Sequence, residues 1–288
     1  MMAATCGRGS AARGKGVGMP ARGERPEDGV RTHYGVRGVA QRALAVLAAQ
    51  GVVRPAPADL APIDELHTGG IRATRELASL LGLGPDDLVL DLGCGLGGPA
   101  RCIAAECGST VVGVDLTFAL LCEGRLLSEA CGLLGRVHHV AGTALRLPFR
   151  DGSFDAVITQ HVVMNIADRA GFWREAARVL RPGGRFAAFD VVRGPNPGPV
   201  AYPLPWASRP EISFLLTPEE TRTRMEEAGF LIEWWEQPEP PRMVVPAANG
   251  LDQRMALGEG IAERIANLGA AYADGRLALL RVVARRPA

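Results

Sequence analysis

The sequence predicts an α/β fold: a mostly parallel sheet with helices on both faces. Two observations carry this. Short runs that are apolar throughout alternate with helical segments of 10–15 residues, the pattern of strands buried on both sides. The first such run is followed at once by a glycine-rich stretch that opens a helix, the strand–loop–helix junction on which α/β proteins bind ligands.

The elements follow in order. Val36–Gln50 repeats apolar residues at helical spacing and ends at Gly51, and 52–64 is rich in Pro and Ala and reads as a connector. Ile71, Leu77, Leu80 and Leu81 mark a second helix stopped by Gly82, so 31–82 reads as an N-terminal helical cap. Strands are expected at Leu88–Leu92, Thr110–Val114, Val137–Val140, Phe154–Thr159 and Arg185–Val192. Helices are expected at Pro99–Glu106, Thr117–Ala130 and Arg169–Leu180, the last capped by Asp168 and stopped by Arg181-Pro182-Gly183-Gly184. Six prolines in 193–210 make a loop. Thr217-Pro218-Glu219-Glu220 carries a complete helix start, with a capping Thr, a Pro in the first turn and a Glu to close a capping box. Phe230–Trp235 and Leu277–Val283 read as closing strands with a helix near 254–268 between them, giving a core over 83–192 and a substrate loop and closing strands over 193–288.

Composition excludes several functions. The chain has 288 residues with Lys+Arg 32 and Asp+Glu 31, a net charge of +1, which gives no bulk positive field for nucleic acid. No apolar run reaches the ~18 residues of a membrane span. The 6 cysteines form no CxxC pair, and no histidine–carboxylate cluster has metal spacing, so reduced thiols, no metal site and a cytoplasmic protein are expected. Residues 1–30 hold five basic and three acidic residues without apolar periodicity and read as a disordered leader.

The chemistry concentrates at Asp91-Leu92-Gly93-Cys94-Gly95-Leu96-Gly97-Gly98. Gly93, Gly95 and Gly98 satisfy GxGxxG, which alone is a weak signal for a dinucleotide and leaves an NAD-dependent oxidoreductase as one reading. Asp91 argues against it, because a carboxylate beside the loop repels a pyrophosphate and suits an ammonium group. Asp115 ends the second strand, where an acid can hydrogen-bond both ribose hydroxyls of a nucleoside. His161 follows the fourth strand directly, at the sheet end where ligands bind, and is the best candidate base.

The DLGCGLGGPAR block resembles the first motif of class I S-adenosylmethionine-dependent methyltransferases. VVGVD at 111–115, LPFRDGSFDAVITQHVVMNI at 147–166 and EAARVLRPGGRFAAFDVV at 175–192 resemble their later strands. DELHTGGIRATRELA at 64–78, QHVVMNI at 160–166 and PWASRPEISFLLTPEETRTRMEEAGF at 205–230 are similar to the sarcosine/dimethylglycine-type small-molecule methyltransferases. The resemblance implies a Rossmann-like seven-stranded sheet with its last strand antiparallel, and S-adenosyl-L-methionine as cofactor. Asp91 and Gly93 would then face the methionine amino group, with Gly95 in the same loop. Asp115 and Leu116 would hold the ribose. Thr143, Ala144 and Leu145 would line the adenine, where many relatives carry an acid in place of Thr143. Gln160 and His161 would lie near the sulfonium. Tyr34, His67, Met164, Asn165, Trp206 and Arg209 are candidate substrate-binding residues, with Tyr34 as a lid and Arg209 binding a substrate carboxylate. The expected acceptor is an amine of the sarcosine kind, with an O- or C-acceptor of natural-product type, using His161 as general base, as the alternative. A small-molecule substrate and a monomer or homodimer are expected.

Overall fold

The computed structural model describes residues 27–29 and 37–288. Helices α1 (Val39–Ala49), α2 (Pro57–Asp64) and α3 (Gly70–Leu81) come first. The core then runs β1 (Leu88–Leu92), α4 (Gly98–Glu106), β2 (Thr110–Asp115), α5 (Phe118–Ala130), β3 (Val137–Ala141), β4 (Phe154–Gln160), α6 (Arg169–Val179) and β5 (Leu180–Arg193). It closes with α7 (Pro218–Glu227), β6 (Leu231–Glu236), a small hairpin β7 (Ala247–Ala248) and β8 (Leu251–Asp252), α8 (Arg254–Leu257), α9 (Ile261–Ala273) and β9 (Leu277–Arg285). The seven-stranded sheet has the order β3-β2-β1-β4-β5-β9-β6. Strands β1 to β5 pair in parallel and β9 runs antiparallel to both β5 and β6. All seven strands lie where the apolar runs predict them.

Alternate residues of each strand feed two cores, as the pleat requires. Val89, Ala187 and Phe189 pack with Leu77 of α3, Ile103 of α4 and Leu268 of α9 on one face. Leu90, Leu92, Phe186 and Ala188 pack with Phe172 and Trp173 of α6 and Met225 of α7 on the other. A third cluster joins Val39, Ala43 and Leu47 of α1 to Leu60 and Ile63 of α2, Leu120 of α5 and Ile261 of α9.

Two local expectations are corrected. The segment 52–64 is not all connector, since Pro57–Asp64 forms α2. Pro57 sits in its first turn, and Asp59 Oδ2 accepts from the Ala56 N–H at 2.8 Å, so a Pro- and Ala-rich composition hides a properly started helix. The run Arg181–Gly184 is not a stop between elements. Strand β5 begins at Leu180, opposite Phe154, and absorbs these residues in a register shift before Arg185 pairs with Ala156. The caps at Asp168 and Thr217 form as expected, Asp168 accepting from Gly171 and Thr217 from Glu220, whose side chain closes the box. Tyr34 and most of the leader lie outside the described residues; 27–29 form a helical turn.

The cap is tied to the glycine loop by a buried ion pair. Asp64, the last residue of α2, meets Arg101 of α4 at 2.5 Å, and both side chains are almost fully buried. Arg101 also donates to Gly124 O and to Ser128 Oγ on α5. Gly98 lets the two segments approach, for a Cβ there would stand 2.5 Å from the Asp64 carbonyl oxygen. Removing one partner of such a pair leaves a buried charge unmatched. Arg101→Met is therefore expected to lower unfolding free energy by about 3–5 kcal/mol, read as a lower urea midpoint. Asp64→Asn combined with Arg101→Met should cost less than the single change, and a single variant with the wild-type midpoint would contradict the tie.

Candidate active site

A cavity of about 450 Å³ opens at the carboxyl ends of the strands, within the range of small-molecule sites. The strand order lays its lining out along one edge. Thr143, Ala144 and Leu145 follow β3, Asp115 and Leu116 end β2, Asp91, Gly93 and Gly95 end β1, and Gln160 and His161 end β4; all line the cavity. His67 from the cap, Met164 and Asn165 after β4, and Trp206 from the Pro-rich loop complete the wall with Leu66, Ile166, Pro205 and Leu257. The lining is acidic along β1 and β2 and largely apolar beyond β4.

The glycine loop is built for close approach. Gly93 has φ 76°, and a Cβ on it would collide with the Val162 side chain 2.3 Å away. Asp115 braces the loop, its Oδ2 accepting from Gly95 N–H at 2.9 Å and its Oδ1 from Thr117 N–H at 2.7 Å. Asp91 is different. It is 2 % exposed, and its Oδ2 has no hydrogen-bond partner among the described residues. Burial, and then the nearby Glu65 and Asp115 carboxylates, push its pKa up to about 8.

The two histidines differ in what they can do. Glu65 Oε2 lies 2.7 Å from His67 Nε2, so that nitrogen donates, and the Thr68 carbonyl faces Nδ1 at 3.2 Å. The Thr74 hydroxyl donates to the same Glu65 oxygen at 2.8 Å and accepts from Gln160 Nε2 at 3.1 Å. His67 and Gln160 are thus held by one buried network, and both ring nitrogens of His67 face acceptors. His161 Nε2 is buried with no partner among the described residues. Its ring lies edge-on to His67, 6.0 Å between centroids, and 5.4 Å from Phe189. Burial first, and His67 second, lower its pKa well below the usual imidazole range, so it is neutral near pH 7. His161 also holds φ 52°, a left-handed conformation that costs a non-glycine residue energy and recurs at functional sites. The Phe189 carbonyl fixes it by accepting from its N–H at 2.8 Å, and Asp190 Oδ2 accepts from Val163 N–H two residues on.

Asn165 does not aim its donors at the cavity. Its Nδ2 donates to the carbonyls of Trp206 and Ile212 at 3.0 and 3.2 Å, pinning the end of the Pro-rich loop and the turn after it to the short turn that follows β4. Trp206 is buried, with its indole N–H on Ser213 Oγ. Arg209 lies outside the cavity lining, 3.9 Å from Glu211, so the expected carboxylate anchor is not brought to the site. Glu65, Thr74 and Asp190 were not distinguished by sequence; only the position of Glu65 beside His67, in Asp64-Glu65-Leu66-His67, hinted at a role. Cys94, Cys102 and Cys131 are buried free thiols, Cys107 is half-buried and Cys122 exposed.

Residues 90–188 match the family described as methyltransferase domain. Among curated relatives, the chain is 39% identical over 134 residues to Methyltransferase GfsG of Streptomyces halstedii, covering 46% of this chain and 48% of that one. It is 38% identical over 125 residues to the sterol 24-C-methyltransferase of Eremothecium gossypii, covering 43% and 34%. The chain thus matches less than half the length of these relatives. Among solved structures, geranyl diphosphate C-methyltransferase from Streptomyces coelicolor superposes with a TM-score of 0.66 at 20% identity, over 93% of this chain and all of that one. A putative sarcosine dimethylglycine methyltransferase from Galdieria sulphuraria gives 0.62 at 18% identity, over 75% and 85%. These likenesses show the fold. Residues 90–188 thus resemble a methyltransferase domain, set in a Rossmann-like fold shared with these structures, and no described helix is long and apolar enough to cross a membrane.

The Asp91 carboxyl sets a stability test. Its folded pKa of about 8 lies above the unfolded 3.8, so the stability it contributes as a neutral acid is lost as pH rises through about 8. Asp91→Asn stays neutral. The stability gap between variant and wild type should therefore widen in the variant's favour from pH 6 to pH 9, by ~1–3 kcal/mol, in denaturant titrations without ligand. A constant gap would mean that the carboxylate is already ionised and satisfied.

Proposed function

We propose that this chain transfers a methyl group from S-adenosyl-L-methionine to a carbon or oxygen atom of an apolar small molecule, with His161 accepting the proton released. The observation that carries the acceptor half is the unpartnered Nε2 of His161, neutral and buried in the cavity.

The residues present fit the cofactor. Asp91 Oδ2 is a buried oxygen with no partner among the described residues; an ammonium group beside it would favour the ionised carboxylate and pair with it, which a phosphate would not. This also weighs against the dinucleotide alternative. Gly93 and Gly95 would admit the methionine end, Asp115 and Leu116 would hold the ribose, and Thr143, Ala144 and Leu145 would line the base. When bound, the cofactor supplies an electrophilic methyl group on a sulfonium, already activated for displacement. The protein then has to position the acceptor and exclude water, which can supply ~7–11 kcal/mol. The apolar wall of Met164, Ile166, Trp206 and Leu257 suits that task.

The choice of acceptor follows from the same wall. An amino acid such as sarcosine brings a carboxylate, and Arg209 does not line the cavity to meet it. The sterol and geranyl diphosphate enzymes, named for C-methylation, also favour a carbon acceptor over the amine suggested by the sequence. A carbon or oxygen acceptor must lose a proton as the new bond forms. A neutral imidazole whose conjugate acid is strong is a weak base, adequate where the departing proton is acidic, as beside a developing carbocation or on an enol.

Isotopically labelled methyl transfer to a mixed panel tests this, with mass spectrometry as the readout. Isoprenoids, sterols, phenols and enols stand beside glycine, sarcosine and dimethylglycine. Label on the apolar compounds is expected; label on the amino acids alone would overturn the acceptor assignment. His161→Ala should lower kcat by about 10²–10⁴ with S-adenosylhomocysteine affinity little changed. Because burial lowers the His161 pKa, wild-type kcat should stay flat through pH 6.5 and fall only at more acidic pH. A variant with undiminished kcat would remove His161 as the base.

A further inference from the structure

The base end of the cavity is furnished by a residue from far away in the chain. Glu27, in the helical turn 27–29, lines the cavity, and Thr143 Oγ1 donates to its Oε1 at 3.0 Å. The same hydroxyl oxygen accepts from Leu145 N–H at 3.3 Å. The Thr143 proton is therefore committed to Glu27, and one of the two lone pairs of its oxygen is taken by the backbone. The larger acceptor capacity at this end is that of the Glu27 carboxylate, which has two oxygens and about four lone-pair sites against one incoming bond, where Thr143 keeps a single lone pair. The turn is seated from the other side as well: a Cβ on Gly29 would stand 2.8 Å from Ile212 Cγ2. Ile212 belongs to the loop that Asn165 pins through the Ile212 carbonyl. Glu27 is thus bracketed by the base end of the cavity and by the loop that walls its apolar part.

We infer that Glu27 selects the nucleobase of the cofactor, accepting a hydrogen bond from the exocyclic amino group of adenine beside Thr143. The inference rests on the proposed cofactor. A carboxylate only accepts, so it favours a base that presents an N–H there and repels one that presents a carbonyl oxygen, such as hypoxanthine. A site built to pair a donor rejects the analogue lacking it more strongly than an apolar pocket could. The Thr143 hydroxyl positions the carboxylate by donating to its other oxygen.

Calorimetric titration of the full-length protein with S-adenosylhomocysteine and with its 6-oxo counterpart, S-inosylhomocysteine, tests this. Wild type should prefer the adenosyl compound by about 10- to 100-fold, as for a hydrogen bond to a charged group. Glu27→Ala should narrow the preference to a few-fold by weakening only the adenosyl compound. Glu27→Gln, whose amide can also donate, should narrow it further by strengthening the inosyl compound. A Glu27→Ala variant that retains the wild-type ratio would overturn the inference and leave the cofactor assignment standing. Wild type that binds neither compound would overturn both.

Discussion

A buried carboxyl group near the end of β1, one oxygen of which has no partner among the described residues, is the constraint on which the rest of this site turns. Asp91 costs the folded chain energy, because its environment resists ionisation and Glu65 and Asp115 add to that resistance. Folding alone gives no reason to keep an acid there; a neutral residue of the same shape would be more stable. A cationic ligand changes the balance, since its ammonium group supplies the missing partner. The glycine loop, held open by Asp115 and closely packed against Val162, is the opening through which such a ligand can approach.

The remaining elements hold that arrangement at a fixed width. The Asp64–Arg101 pair fastens the cap to the helix that follows the loop, and the Glu65–His67–Thr74–Gln160 network fastens the same cap to the end of β4. Asp190 and the Phe189 carbonyl fix the backbone around His161, and Asn165 fixes the Pro-rich loop above it. Each of these contacts is made within the protein. Among the buried lining atoms without a partner in the described residues are an Asp91 oxygen, the Gln160 Oε1 and the Nε2 of His161. One region is acidic and the other apolar with a single neutral base, an arrangement suited to a cationic cofactor beside an apolar acceptor.

Much of this is legible in the sequence, for physical reasons. The five parallel strands are buried on both faces, so their apolar runs are continuous and hard to mistake. The loop glycines and the acids at 91 and 115 are separated by strand and helix lengths that leave little freedom. Other features are not legible because they depend on tertiary approach. Helix α2 hides in a Pro- and Ala-rich stretch whose signals are Pro57 and Asp59. Arg209 is an anchor by composition, but it heads the turn at Pro210–Ile212 and is not among the residues that line the cavity. Asn165 lines the cavity, but its amide donors are spent on the loop carbonyls of Trp206 and Ile212, which the sequence does not announce. The contact between Glu27 and Thr143 spans 116 positions, and no local pattern announces it.

The most direct test of the central claim is a calorimetric titration of wild type and Asp91→Asn with S-adenosylhomocysteine and with NAD. If the buried carboxylate exists to meet an ammonium group, wild type binds S-adenosylhomocysteine and not NAD. The asparagine variant then loses ~1–3 kcal/mol of that affinity, the cost of a partner left unmatched. Binding of NAD in place of S-adenosylhomocysteine, or equal affinity in the two proteins, would contradict the role given to Asp91.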